Sequence, residues 1–335
     1  MIKDNYFFIE NLKSVFLIGA SDLFAELIEI NKFLGLNTFV ITSSDQSKLI
    51  DKKIKYKIFD KIDLNFENFI KTKTDISKTI FISIGSRLIF KQSIIENFFL
   101  QNLVNFHLAR LPLDKGGADI SWRIMREDRI DCQLVHLVNS DLDAGPIIDY
   151  HTSIIPKNCN LPHEFVEFKM KNFRPFYKNF LKKILNKESL KLQYQQSYLG
   201  RYNPRIFSEL DSFINWEMES YDLLNFINAF EDPFQGASTF LNRGDFGRLY
   251  IKKVQLHGGD SSNHPFMSGI VSRHDKDWLV VSTKSKHMLI IEKVLDENGN
   301  NIIKKIIAGD RFYTPHAMLE KSKSKKHIFN SKGYK

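Results

Sequence analysis

The alternation of short apolar runs with amphipathic stretches over the first 110 residues restricts this chain to few architectures. Residues 11–20, NLKSVFLIGA, read as a buried strand ending in Gly19. Residues 22–34 follow with Leu23, Phe24, Leu27, Ile28 and Phe33 at helical spacing, and Gly35 stops the run. Residues 37–43, 80–84 and 103–108 repeat the strand signal, with helical stretches at 65–70 and 93–99 between them. Uninterrupted apolar strands joined through helices imply an α/β fold whose mostly parallel sheet is covered on both faces.

Further along, a glycine turn at 115–117 leads into a helix at 121–126, and strands are expected at 132–138 and 147–154 around a turn at 141–146. Residues 163–185 form a long, aromatic-rich amphipathic segment with a break expected at Pro175. The charged, Gln-rich stretch 187–196 marks a boundary. After residue 202 the pattern changes to one clear helix, 221–230, and short strands at Phe240, 246–254, 278–283 and 287–294. Their separation by Gly, Asn, Ser and Asp suggests a small antiparallel β domain. The expected division is a catalytic domain 1–195, a linker with a helix 196–240, a β domain 241–320 and a basic, frayed tail 321–335.

Composition narrows the function classes. The net charge is +9, but only 12 of the 48 basic residues are Arg, so the excess reads as a Lys bias more than a nucleic-acid surface built of Arg forks. Cys132 and Cys159 lack CxxC spacing and cannot form a disulfide framework, which points to a reducing, cytoplasmic setting. The amino terminus has no secretory pattern, and the longest apolar runs are strand-length, so no membrane insertion is expected. Gly19 stands without the rest of a G-x-G-x-x-G fingerprint, no phosphate-loop motif occurs, and no His or Cys spacing calls for a metal.

The chemistry concentrates between residues 105 and 148. Asn105 and His107 are two apart on one strand, so their side chains share a face near its end. Asp143 follows in the turn Asp141-Leu142-Asp143-Ala144-Gly145-Pro146. A histidine accepts a proton near neutrality, a carboxylate stabilises the charge it gains, and an amide N–H donates to a developing oxyanion. No Ser or Cys nucleophile stands beside them, which favours direct transfer over a covalent route. By spacing alone, the same residues also suit a strand end and a turn former.

These elements resemble the signature of the folate-dependent formyltransferases. The pattern is Asn105-Phe106-His107, then Leu111-Pro112, Gly116-Gly117 and Trp122, then Asp143-Ala144-Gly145. Residues 81–89, FISIGSRLI, resemble the strand and loop that line the folate pocket in that family. The likeness spans about residues 13–185. It implies a Rossmann-like catalytic domain followed by an OB-like, barrel-type domain, with N10-formyltetrahydrofolate as donor and a primary amine as acceptor. It further implies that Asn105 polarises the formyl carbonyl, that His107 handles the amine proton, and that Asp143 orients and charge-stabilises His107. The pterin would lie against Ile84, Gly85, Ser86, Arg87 and Leu88 on one side and Val138, Asn139 and Asp141 on the other. Where the family has His-x-Ser-Leu-Leu-Pro, this chain reads His107-Leu108-Ala109-Arg110-Leu111-Pro112; a hydroxyl is lost and a charge gained beside the acceptor.

The acceptor is the less determined half. Residues 201–205, RYNPR, with Ile214-Asn215-Trp216 and the segment 232–237, DPFQGA, resemble the linker of family members that carry a second domain. The expected acceptor surface comprises Ala109, Arg110, Leu111, Lys115, Gly116, Gly117, Trp122, Arg201, Tyr202 and Arg205. Arg201, Tyr202 and Arg205 suit a diphosphate and a base, so a nucleotide-linked amino sugar of cell-surface glycan or lipopolysaccharide synthesis is the expected substrate. Methionyl-tRNA is the alternative acceptor. A folate-binding module without activity is the alternative of a different class. The aromatic stretches 165–180 and 207–213 suit either core or a homodimer interface.

Overall fold

The computed structural model describes residues 2–3, 5–116 and 119–325. Gly117 and residues 326–335, within the expected acceptor surface and tail, lie outside the described residues.

The amino-terminal half is built on a seven-stranded sheet. Its strands are β1 (Ser14–Gly19), β2 (Asn37–Thr42), β3 (Lys57–Ile58), β4 (Thr79–Ile84), β5 (Leu103–His107), β7 (Ile130–Leu137) and β8 (Ile147–Ile154). The order is β8-β7-β5-β4-β1-β2-β3. β5 through β3 run parallel, whereas β7 and β8 are antiparallel additions on the β5 side. Every residue of β1 is buried, as expected of a strand covered on two faces. Helices α1 (Phe24–Phe33) and α5 (Pro162–Leu185) cover one face, with Leu27, Phe173, Tyr177 and Phe180 in a shared core. Helices α2 (Leu64–Lys73) and α3 (Gln92–Asn97) cover the other, through Phe66, Ile70, Ile95 and Phe98. Asp63 starts α2 by accepting from the backbone N–H groups of Asn65 and Phe66 at 3.0 and 3.1 Å.

The break expected at Pro175 does not occur: α5 runs unbroken for 24 residues. Tertiary packing outweighs the hydrogen bond that proline removes. The ring of Phe106 meets Phe173, Phe176, Tyr177 and Phe180 at centroid distances of 5.3–5.9 Å, on both sides of the proline.

Between β5 and β7 lie the two-residue strand β6 (Lys115–Gly116) and α4 (Asp119–Met125). β6 pairs in parallel with β9 (Tyr202–Asn203), which brings the segment after α5 back to the end of β5. Helix α6 (Ser220–Ala229) then precedes a second sheet of six strands. These are β10 (Ala237–Leu241), β11 (Leu249–Gly258), β12 (Val271–His274), β13 (Leu279–Ser282), β14 (His287–Leu295) and β15 (Phe312–Tyr313), in the order β12-β13-β14-β11-β10-β15, all antiparallel. An Ile270↔Arg311 bridge joins its two edges, so the sheet curls toward an OB-like barrel. Gly269 permits that closure, since a Cβ there would lie 2.1 Å from the Phe312 carbonyl oxygen. Trp216 stacks on Phe312 inside the curl, and Leu223 and Ile227 of α6 join the same core. Helix α7 (His316–Ser324) docks back on the linker: Ser322 Oγ donates to Asp211 at 3.2 Å and Lys325 pairs with Asp211 at 3.0 Å. The first residues of the expected tail are thus held by partners. No described helix is long and apolar enough to cross a membrane.

Candidate active site

The alternation of β5 places its polar side chains. Phe106 turns into the aromatic cluster under α5, so its neighbours Asn105 and His107 must face the opposite side. Asn105 pairs in register with Ser83 of β4 and with His136 of β7. It therefore stands between β4 and β7, on the face of the sheet turned away from the Phe106 cluster.

Asp143 comes to the same place from the turn after β7. Its backbone takes the left-handed conformation, with φ near 50°. Gln195 Nε2 donates to the carbonyls of Asp143 and Gly145 at 2.9 and 2.7 Å, which holds the turn. Gly145 lets it pack against β7, because a Cβ there would lie 1.7 Å from the Leu137 carbonyl oxygen. Asp143 Oδ1 is 3.9 Å from His107 Nδ1 and 3.8 Å from His136 Nε2. Both distances permit charge stabilisation and exceed hydrogen-bond length.

His107 is oriented by a different partner from the one the resemblance implies. Its Nε2 lies 3.0 Å from the backbone carbonyl oxygen of Asp114. A carbonyl only accepts, so Nε2 carries the proton and Nδ1 is the basic nitrogen. That nitrogen is the one turned toward Asp143. Asp114 itself is buried with its carboxylate among three guanidiniums: Arg110 and Arg126 at 3.4 Å and Arg201 at 3.2 Å. Arg110 also pairs with Asp128. Burial and the neighbouring Arg201 push the Arg126 guanidinium below its ordinary range.

The expected acceptor residues divide accordingly. Arg110 and Arg201 belong to this ionic knot, and Lys115 is buried with its ammonium over the Tyr202 ring at 5.8 Å. Burial, and the carboxylates of Asp143 and Asp141, raise the Tyr202 hydroxyl above its ordinary range. Gly116 pairs with Asn203. Ala109 is buried, and Leu111 packs with Cys132, Leu134 and Ile147, so both are packing residues. The Trp122 indole N–H donates to the Pro204 carbonyl at 2.8 Å, and exposed Arg205 lies over the Phe207 ring. These two are engaged on the linker.

The expected cofactor side flanks Asn105. Gln46 bridges the loop after β4 by donating to the Gly85 carbonyl at 2.7 Å and accepting from the Arg87 backbone N–H at 3.1 Å, and Arg87 pairs with Asp45. Leu88 and Val138 pack in one apolar cluster. Apolar side chains beside the main chain of two loops suit a flat heterocycle with polar edges. Asp114, His136 and Gln195 were missed as site residues. The alternation of residues 132–138 gave the only signal for His136.

A mostly parallel α/β domain in which Asn105, His107 and Asp143 gather around His136, joined to a curled antiparallel sheet, defines a two-part architecture. The model of the "Formyl transferase, C-terminal domain" matches residues 207–311. A methionyl-tRNA formyltransferase of Malacoplasma penetrans is 24% identical over 302 residues, covering 86% of each chain. Among solved structures, an N-formyltransferase from Helicobacter canadensis, in complex with folinic acid and dTDP-3-aminofucose, superposes with a TM-score of 0.61 at 16% identity, covering 84% of this chain and 99% of that one. The sugar 3N-formyltransferase WlaRD, in the presence of dTDP and 5-N-formyl-THF, does so with a TM-score of 0.58 at 16% identity, covering 84% and 98%. This chain is thus similar in sequence to methionyl-tRNA formyltransferases and in fold to sugar N-formyltransferases, and it carries a match to the formyltransferase C-terminal domain over about a third of its length.

Proposed function

We propose that this protein transfers a formyl group from N10-formyltetrahydrofolate to the primary amine of a nucleotide-linked amino sugar. One observation supports the reaction: Asn105 and His107, two apart on β5, and Asp143, from the turn after β7, gather around the His136 ring. The bound donor supplies an activated formyl carbonyl with N10 as the leaving nitrogen. Asn105 Nδ2–H donates to the formyl oxygen as negative charge builds there. His107 Nδ1 takes the proton from the attacking amine, while the Asp114 carbonyl keeps Nε2 protonated and the ring aligned. Asp143, 3.9 Å from Nδ1, stabilises the imidazolium until the proton passes to the leaving nitrogen. The amine thus gains the formyl carbon and loses one proton, and N10 gains one.

The sugar reading is supported by the basic and aromatic character of the segment from Arg201 to Arg205, whose strand β9 pairs with β6. It is also supported by the Helicobacter canadensis protein, whose complex contains dTDP-3-aminofucose. A second reading, methionyl-tRNA as acceptor, is favoured by relatives of that name matching over most of this chain. Incubation with N10-formyltetrahydrofolate and, separately, dTDP-linked 3-amino and 4-amino sugars and methionyl-tRNA decides between them by mass spectrometry. Gain of one carbonyl unit on a sugar is the expected result. Formylation of methionyl-tRNA alone reverses the choice, and formylation of none removes the enzymatic reading.

A further inference from the structure

We infer that His136 is a positioning residue that fixes the amide of Asn105 with its N–H groups, rather than its oxygen, toward the reacting centre. This role rests on the formyl-transfer reading. The argument begins at the other ring nitrogen. His136 Nδ1 lies 2.8 Å from the carbonyl oxygen of Leu137. A carbonyl accepts only, so Nδ1 carries the proton. In a neutral ring Nε2 is then a bare acceptor, and it lies 3.1 Å from Asn105 Nδ2. The amide must present its N–H there, because the flipped amide would set two lone pairs against each other. One Nδ2–H is thus used on His136, and the second is left to donate to a formyl oxygen.

The surroundings keep the imidazole neutral. It is 2% exposed. The charged and titratable groups around it are Asp143, His107 and Lys115; burial outweighs the attraction of Asp143, and its pKa falls to about 4. Gly145 closes the other side, where a Cβ would come within 3.5 Å of Nδ1. Protonation of Nε2 would turn the acceptor into a donor and drive the Asn105 amide to flip, removing the oxyanion donor.

A double-mutant cycle with a resonance readout tests this role. His136→Leu is expected to lower kcat about 10- to 100-fold, a part of what losing an oxyanion donor costs, with little change in KM for N10-formyltetrahydrofolate. His136→Gln, which keeps an acceptor oxygen, should retain more of kcat. In the Asn105→Ala background, His136→Leu should cost nothing further. Losses that multiply overturn the role and leave His136 a packing residue. In the unliganded wild-type protein, ¹⁵N resonances of His136 should report the neutral Nδ1–H tautomer, with the Nε2 resonance moving in Asn105→Ala. An Nε2–H tautomer overturns the proposal whether or not turnover is seen. If His136→Leu does not fold, the Gln variant and the resonances still decide. A wild type that formylates none of the three acceptors sinks the formyl-transfer reading instead, and the resonances alone then judge the Asn105–His136 pair.

Discussion

Lys252 in the curled carboxy-terminal sheet and His107 in the amino-terminal domain are both largely enclosed polar side chains, yet they are satisfied differently. The Lys252 ammonium donates to Asp232 at 2.5 Å and to the Phe234 carbonyl at 2.9 Å, with the Glu231 carboxylate as a second counter-charge 3.6 Å away. His107 has one nitrogen bonded, to Asp114, while the other faces Asp143 at 3.9 Å. A group so paired holds the fold together. A group bonded through one nitrogen keeps the other available, as the proposed proton transfer requires. The same distinction separates the arginines around Asp114 from the Asn105 amide, which has one partner for its two N–H groups in the amide orientation argued above.

Substitutions at the two places should therefore fail in different ways. The largest effect is expected at His107→Ala: a fall of about 10²–10⁴-fold in kcat, with folate binding and thermal stability nearly unchanged. Unchanged turnover would dissolve the contrast. Lys252→Met should do the reverse, because Glu231 is then left buried with one fewer partner. A loss of about 3 kcal/mol in denaturant unfolding is expected, with kcat per folded molecule preserved. A drop in kcat without loss of stability would show that the two regions are not separable.

A pH series sharpens the comparison from the side of the candidate active site. The folded protein lowers the His136 pKa from 6.5 to about 4, so on acidification the unfolded chain takes the proton first. Stability from this group is complete above pH 6.5 and drains away as pH falls toward 4, by about 3 kcal/mol in all. His136→Gln should flatten that part of the curve, and an unaltered curve refutes the buried neutral imidazole. The smallest effect is expected at Arg201→Ala. This side chain is 49% exposed, and Asp114 keeps two other guanidiniums, so stability should fall by about 1 kcal/mol or less. Its KM decides more: a rise for the acceptor places Arg201 on the substrate, and an unchanged KM leaves it as a tie between linker and Asp114.

Much of the fold was legible because its signals are local. Continuous apolar strands and helical spacing announced the parallel sheet, and the period of two along residues 105–107 announced which side chains share a face. Pro175 misled because the local cost of proline was outweighed by rings arriving from β5, which no window along the helix contains. Asp114 was passed over because its contribution to His107 is a backbone carbonyl, and every residue has one. His136 was visible as an alternating strand position, but its meaning depends on the antiparallel register that sets it against Asn105.

Residue type and spacing by themselves pointed to the α/β class and the second β unit and singled out Asn105, His107 and Asp143 as candidates for proton-handling chemistry, to which the family resemblance added the expected transfer to an amine. Only the tertiary structure decided which nitrogen of His107 is basic, which atom orients it, and that β9 returns to pair with β6. The physical reason is the range of the interactions. Propensity and periodicity act within a few residues, whereas a tautomer is set by whichever acceptor the folded chain brings within about 3 Å, wherever in the sequence it lies.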